Sequence, residues 1–325
     1  MSTVSSLATS AHSRAASASS RSTVHTADGV ALEVRIHGPR RARLTVVLSH
    51  GHCGRSESWT AVRSALLKRY PDARIVCYDH RGHGRSALAD RRTYTLAQLA
   101  DDLHAVLEAV APTGPVILVG HSMGGMSVLT YVSRHPHEIG SRITGIGLIA
   151  TAASSLTEDG LGRFLRHPLI SLFRAAVHHA PGRMHHAKLL AGRAFAPIVH
   201  RARRGDHTFG PRLLTLANAM HHQTPIVTMA AFLEAFTTYD RTDALATLSA
   251  IPTLILCGST DSITPPTHSI AMAAAVDYSD LVLVEGAGHS VIMEQPGRVA
   301  DALTRLLTRA HDTHRNTGRY LPVAV

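Results

Sequence analysis

Residues 115–125 read Pro-Val-Ile-Leu-Val-Gly-His-Ser-Met-Gly-Gly, and no other stretch limits the folds open to this chain as sharply. Val116–Val119 is a short apolar run rich in β-branched residues, the pattern of a strand buried on both faces. It breaks at Gly120-His121-Ser122-Met123-Gly124, and Ser127–Ser133 then has the length and residue types of a helix. A serine between glycines at a strand-to-helix junction is the signature of a nucleophile elbow. The turn is so sharp that side chains two before and two after Ser122 would collide, hence Gly120 and Gly124. It lifts the serine Oγ above the sheet and aims the Met123 N–H at the same spot.

A bare serine hydroxyl is a poor nucleophile at neutral pH, so the elbow needs a base and an acid that orients it. Ile251–Gly258 reads as another buried strand and ends in Ser-Thr-Asp261, ahead of the turn formers Thr264-Pro265-Pro266. A carboxylate just past a strand's C-terminal edge sits where open α/β sheets place their sites. The last strand, Leu281–Glu285, runs into Gly286-Ala287-Gly288-His289, whose glycines let the loop bend His289 back toward Ser122. The order Ser, Asp, His, each after its own strand, makes Ser122 the candidate nucleophile, Asp261 the acid and His289 the base. Asp277 and Asp280 compete for the acid but precede the last strand, at the wrong end of the sheet. Glu158 and Asp159, beyond the strand Ile143–Ala150, are a weaker rival pair.

An oxyanion needs a second donor besides Met123. The strand Leu44–Ser49 is followed directly by His50-Gly51-His52-Cys53-Gly54, where the glycines let the backbone turn in close. The His52 N–H is the candidate partner for that of Met123, while His50 and Cys53 read as structural.

With these pieces in hand, the chain resembles the α/β-hydrolase family, in particular its cap-bearing serine esterases and monoacylglycerol-lipase-like members. The matching pieces are Leu48-Ser49-His50-Gly51 with Trp59 downstream, Tyr78-Asp79-His80-Arg81-Gly82-His83-Gly84-Arg85-Ser86, and Gly120–Gly125. Leu256-Cys257-Gly258-Ser259-Thr260-Asp261 and Gly288-His289 followed by Glu294-Gln295-Pro296 complete the set, which spans roughly residues 25–310. The resemblance implies a Ser122–Asp261–His289 triad, an oxyanion hole from the His52 and Met123 amides, and no metal or organic cofactor. It also implies that the Asp79–Ser86 loop is mainly structural. Serine at position 122 separates the chain from epoxide hydrolases and haloalkane dehalogenases, which carry Asp there.

The rest of the chain fits this frame. Thr23–Thr26 and Val30–Ile36 flank Asp28-Gly29, a hairpin signal for two antiparallel strands at the sheet edge. Strands then alternate with helices: Leu44–Ser49, helix Ser58–Arg69, Arg74–Tyr78, helix Leu96–Val110, Val116–Val119, helix Gly125–Arg134 and Ile143–Ala150. After an interruption come Thr253–Cys257, helix Thr267–Val276, Leu281–Glu285 and helix Gly297–Arg309. Such alternation makes a mostly parallel sheet covered by helices on both faces. The expected organisation is a discontinuous α/β core over 23–154 and 242–312, a helical cap over 155–241, a disordered tail over 1–22 and a C-terminal tail over 313–325. Residues 1–22 lack acids and an apolar core of seven residues, which argues against a secretory signal.

The interruption carries apolar residues at helical spacing: Leu161, Phe164, Leu165, Leu169, Leu172, Phe173 and Ala176. These are expected to pack the cap on the core, and their apolar side favours a lipophilic ester substrate. The cap also holds His167, His178, His179, His185, His186, His200, His207, His221 and His222. A metal site among them is not expected, because no Cys, Asp or Glu lies between Asp159 and Asp206. A formal charge of +10 invites nucleic acid, yet the arginines are scattered and aromatic residues make up only 4%. The Arg201–Arg204 cluster reads as a solvated surface, leaving room for weak contact with an anionic lipid surface. No apolar run reaches the roughly 20 residues of a membrane span. Cys53, Cys77 and Cys257 form no paired framework, and a reducing, cytoplasmic setting is expected. The expected chemistry is ester hydrolysis through an acyl-enzyme. A thioesterase, an acyltransferase, a C–C bond hydrolase or a cofactor-free perhydrolase would use the same triad, and a non-catalytic receptor would have no need of it.

Overall fold

β-branched runs place eight strands side by side in the computed structural model, which describes residues 19–189, 215, 219, 220 and 222–317. The strands are β1 (Ser19–His25), β2 (Ala31–His37), β3 (Leu44–Ser49), β4 (Ala73–Tyr78), β5 (Val116–His121), β6 (Ile143–Ile149), β7 (Thr253–Gly258) and β8 (Asp280–Val284). Their order is β1-β2-β4-β3-β5-β6-β7-β8. β1 and β2 are antiparallel at one margin, and β3 to β8 pair in parallel. In the central strands neighbouring residues feed opposite layers, as a period of two demands. Val47 and Leu118 pack with helices α2 (Leu96–Val110) and α3 (Met123–Arg134). Val46, Leu48, Ile117 and Val119 pack with helix α1 (Thr60–Arg69) and the helix Pro296–Thr317.

Helix α2 shows why these boundaries were readable. The Thr95 hydroxyl accepts from the Gln98 N–H at 3.1 Å and starts the helix. Leu96, Leu99, Ala100, Leu103, Val106, Leu107 and Val110 then recur at helical spacing, and all are buried. Two ends differ from expectation. β1 begins at Ser19, inside the stretch expected as a tail, because Ser19–Arg21 find partners in Arg35–His37 of β2. The last helix runs to Thr317, past Arg309, since its amphipathic pattern meets no breaker until then. Residues 1–18 and 318–325 of the two expected tails lie outside the described residues.

Between β6 and β7 the chain builds a helical cap. A short 3-10 helix (Gly160–Arg166) leads into α4 (Pro168–His179), and a further helical stretch covers 181–189. Helix α5 (Ile226–Thr237) and α6 (Asp243–Leu248) return to the core. Phe232 of α5 packs with Tyr94, Met123 and Met126, which seats the cap directly over the elbow. The apolar cap residues do not all face the core as expected. Phe173 packs against the Val177, Ile226 and Ala230 cluster, but Phe164, Leu169 and Leu172 point to solvent. The Arg201–Arg204 cluster and His200, His207 and His221 lie outside the described residues. Among the described residues no helix is long and apolar enough to cross a membrane.

One buried ion pair ties the sheet margin to the helical layer. The Arg81 guanidinium donates to both Asp102 oxygens, at 2.7 and 2.6 Å, and to Asp28 at 2.8 and 3.1 Å. Arg81 and Asp102 have no exposed side-chain surface, so neither charge has water to fall back on. We predict that Asp102→Ala costs about 3–5 kcal/mol of unfolding free energy, because it strands part of a buried cation. Urea titration followed by far-UV circular dichroism checks this, and a loss under about 1 kcal/mol would place the pair with ordinary surface bridges.

Candidate active site

β5 delivers Ser122 at its C-terminal end, and the backbone there turns at φ 54° and ψ −121°, in a region L-residues rarely occupy. The turn is as tight as the sequence demands. A Cβ on Gly120 would overlap the Gly124 carbonyl and the Gly125 nitrogen, and one on Gly124 would overlap the carbonyl oxygen of Ser49. A side chain at position 124 would thus strike first the end of the neighbouring strand β3 and the residue after it. Met123 is the first residue of α3, where an N–H has no acceptor within its own helix.

Asp261 follows β7 by three residues, and His289 follows β8 by five. A side chain at Gly258 would strike the Ala287 carbonyl, so glycine lets the His289 loop cross beside β7. The crossing is pinned by Thr260, whose N–H and hydroxyl both donate to the Ala287 carbonyl, at 3.0 and 2.9 Å. Glu294 fastens the loop from beyond, accepting from the Gly288 N–H at 2.9 Å. Three segments far apart in sequence thus converge. His289 Nε2 lies 2.9 Å from Ser122 Oγ, and His289 Nδ1 lies 2.9 Å from Asp261 Oδ2. All three side chains are buried.

The carboxylate is held as an acceptor. Burial alone raises the Asp261 pKa, but the electrostatic pull of His289 and the hydrogen bonds outweigh it, bringing the carboxyl below its ordinary value. Those bonds come from His289, from the N–H groups of Ile263 and Thr264 at 2.8 and 3.0 Å, and from the Thr264 hydroxyl at 2.9 Å. An ionised Asp261 fixes the His289 proton on Nδ1, leaving Nε2 to accept from the serine. The competing acids lie elsewhere. Asp280 pairs with Arg309, and the Asp277 N–H donates to Ser249. Asp159 accepts from Thr267 and caps the Gly160–Arg166 helix, and Glu158 is exposed beside it.

The loop after β3 makes a tight turn in which the Gly54 N–H bonds the Gly51 carbonyl at 2.9 Å. Cys53 occupies the left-handed region there, at φ 56°. Its N–H donates to Nε2 of buried His83 at 3.2 Å, and His83 Nδ1 donates to the Arg81 carbonyl at 3.0 Å. His50 works the same way, donating from Nδ1 to the Gly51 carbonyl and accepting the His80 N–H on Nε2. Asp79 adds two acceptor contacts, from the Ser56 N–H at 2.7 Å and the Arg85 N–H at 2.9 Å. The Asp79–Ser86 loop is thus a support for the turn that carries His52. His52 itself lines the same cavity as Ser122, its ring edge-on to Phe236 at 5.5 Å and Phe232 at 5.9 Å.

That cavity measures about 280 Å³. Leu161, Leu165, Leu233 and Phe236 from the cap, with Met126 and Ile292 from the core, make its walls mostly apolar. Sequence reasoning missed two supporting residues. Thr264 is a turn former by residue type, yet a threonine three residues after Asp261 is also spaced for the local side-chain bond it makes. His121 stands in the elbow beside Ser122, and its Nε2 donates to the His289 carbonyl at 2.8 Å. Its packing edge-on to Trp59, at 6.4 Å, has no local sequence signal. No disulfide joins the buried cysteines, and burial pushes the Cys77 thiol up to about 12 and Cys257 up to about 11.

Among the described residues the side chains spaced to share a metal ion are His104, His135 and Glu138, away from Ser122. The two imidazoles are stacked 4.7 Å apart and 9° from parallel, with their Nδ1 atoms 3.9 and 3.7 Å from Glu138 Oε1. The other carboxylate oxygen of Glu138 accepts from the Tyr131 hydroxyl at 2.8 Å.

Comparison with known proteins agrees with this architecture. Residues 45–296 match the family described as the alpha/beta hydrolase fold. The chain belongs to the α/β-hydrolase family. This hydrolase is 28% identical over 302 residues to RutD of Caulobacter segnis, covering 89% of its own length and 100% of that protein. It is 27% identical to the proline iminopeptidase PfmaB of Pestalotiopsis fici, covering 82% and 92% of the two chains. A thermophilic esterase from Thermogutta terrifontis superposes with a TM-score of 0.71 at 26% identity, covering 90% of this chain and 99% of that one.

The buried imidazoles generate a pH prediction. Burial pushes His83 down to about 3 and holds His50 and His80 below their ordinary value, so all three fold neutral. Unfolded, they take protons as pH drops below about 6.5. The unfolded chain then binds more protons than the folded one, and stability is lost as pH falls from about 6.5 toward 3. His83 contributes up to about 1.4 kcal/mol per pH unit within that window, and His50 and His80 act in the same direction. Thermal unfolding midpoints at pH 7, 6, 5 and 4 should fall steadily, and His83→Gln should flatten the slope. An unchanged slope in that variant would remove His83 from the network.

Proposed function

We propose that this hydrolase cleaves carboxylic esters with an apolar acyl or aryl part through an acyl-enzyme on Ser122. The observation that carries the reading is the Ser122–His289–Asp261 relay, two bonds of 2.9 Å each, opening into a mostly apolar cavity of about 280 Å³. His289 Nε2 takes the Ser122 proton as Oγ attacks the ester carbonyl, and Asp261 stabilises the imidazolium through Nδ1. The His52 and Met123 amides receive the developing oxyanion, where each donor is worth about 100- to 1,000-fold in rate. His289 then protonates the departing alcohol, and water attacking by the same route releases the acid. His121 acts as a positioning residue, holding the carbonyl of the base. Similarity to the Thermogutta terrifontis esterase supports the ester class, while the iminopeptidase relative shows that the fold also serves another bond.

Ser122→Ala should abolish turnover of p-nitrophenyl butyrate while leaving the circular dichroism spectrum unchanged. A fluorophosphonate should add once to the wild-type chain, at Ser122 by peptide mass, and not to the variant. Asp261→Asn should keep KM within a few-fold and lower kcat by about 10³- to 10⁴-fold, because the imidazole then adopts the wrong tautomer. Retained turnover in Ser122→Ala would overturn the assignment. Against a series of p-nitrophenyl esters, the size of the cavity predicts the highest kcat/KM for short and medium acyl chains. Faster cleavage of matched proline anilides than of every ester would move the reading to the amide class.

A further inference from the structure

The cap carries a second apolar surface that the cavity does not use. Phe164, Leu169 and Leu172 are 60%, 64% and 65% exposed, far beyond what packing leaves on a large apolar side chain. Leu169 and Leu172 are three residues apart in α4 and share one helix face, and Phe164 stands on the 3-10 turn just before it. Leu161 and Leu165, which flank Phe164 in the chain, line the Ser122 cavity. The turn thus has an inner apolar side on the site and an outer apolar side on solvent.

Charge decides what meets the outer side. From Gly160 to Leu189 the chain has five arginines and lysines (Arg163, Arg166, Arg174, Arg183 and Lys188) and five histidines, with no Asp or Glu. Arg174 is paired with Glu234, and Lys188 donates to the carbonyls of His222 and Thr224. Arg163, Arg166 and Arg183 are exposed and enter no ion pair among the described residues. A second copy seated face to face would oppose these cations to their own equivalents. An apolar wedge rimmed by unpaired arginines is complementary instead to acyl chains beneath anionic headgroups.

We propose that the outer face of the cap, Phe164, Leu169 and Leu172 within their acid-free basic segment, seats on an anionic lipid surface. The contact places the wall of the cavity beside a reservoir of apolar esters. It does not depend on the chemistry at Ser122, and binding is measured on Ser122→Ala as well as on the wild-type chain.

The test is co-sedimentation with vesicles of phosphatidylcholine alone and of phosphatidylcholine with phosphatidylglycerol. The chain is expected to pellet with the anionic vesicles and stay in the supernatant with the neutral ones. The bound fraction should fall at least about fivefold when Phe164, Leu169 and Leu172 are all changed to Ser, or when Arg163 and Arg166 are changed to Glu. Because these side chains lie outside the cavity, turnover of a dissolved p-nitrophenyl ester should be unchanged in both variants. Absence of sedimentation with anionic vesicles would overturn the proposal. So would binding that survives both variants, or a wild-type dimer in light scattering that the triple Ser variant converts to monomer.

Discussion

Everything at the site depends on one residue adopting a backbone conformation that glycine would reach more easily. Ser122 sits at φ 54°, a position that costs on the order of 1–3 kcal/mol for an L-residue. Local sequence does not offset that cost; the sheet does. β5 is buried along its whole length between β3 and β6, and the Ser122 N–H is bound by the Ile149 carbonyl of β6 at 2.9 Å. On the far side of the turn, Thr151 donates to the Ser122 carbonyl at 2.8 Å. The strained residue is therefore fixed before and after by the neighbouring strand. That is why so strained a residue sits in the middle of the sheet and not at its margin.

The same logic governs the opposite wall of the site. Cys53 is also left-handed, and the group that receives its N–H is an imidazole made neutral by burial. A neutral imidazole presents one donor and one acceptor in fixed directions, so His83 and His50 act as rigid spacers between backbone strands. A charged imidazole would lose its acceptor and could not bind the Cys53 N–H. The support of the turn is thus tied to protonation state, although neither histidine touches the cavity. Arg81 extends the support outward by joining this loop to the hairpin through Asp28 and to α2 through Asp102.

Much of this was legible in the chain, and the boundary of what was legible has physical causes. Strands buried on both faces, such as Val116–Val119, and a capped amphipathic helix such as Leu96–Val110 carry their structure in local pattern. The convergence of Ser122, Asp261 and His289 follows from topology, since parallel strands bring their C-terminal ends to one edge. Residues that act through tertiary partners left no such trace. His121 matters because β8's loop brings the His289 carbonyl within 2.8 Å, and Thr264 because Asp261 turns back on it. The cap was the least readable part. Its apolar spacing fits equally well a face packed on the core, a cavity wall and a surface left open, and the chain uses all three.

The cap is nevertheless not an independent lid. The Leu161 N–H donates to the Ser262 carbonyl at 2.7 Å, one residue from Asp261, and Thr267 donates to Asp159 at 2.6 Å. A Cβ on Gly160 would press on Pro265 and on the Ser262 carbonyl, so the two loops meet as closely as backbone allows. The segment that forms one wall of the cavity is therefore anchored to the loop that presents Asp261. Leu233 and Phe236, on α5, reach the cavity from the other side, and α5 is held by Phe232 on Tyr94 and Met126. A ligand that spreads these walls works against hydrogen bonds that also orient Asp261. Cavity shape and the placement of Asp261 are consequently coupled.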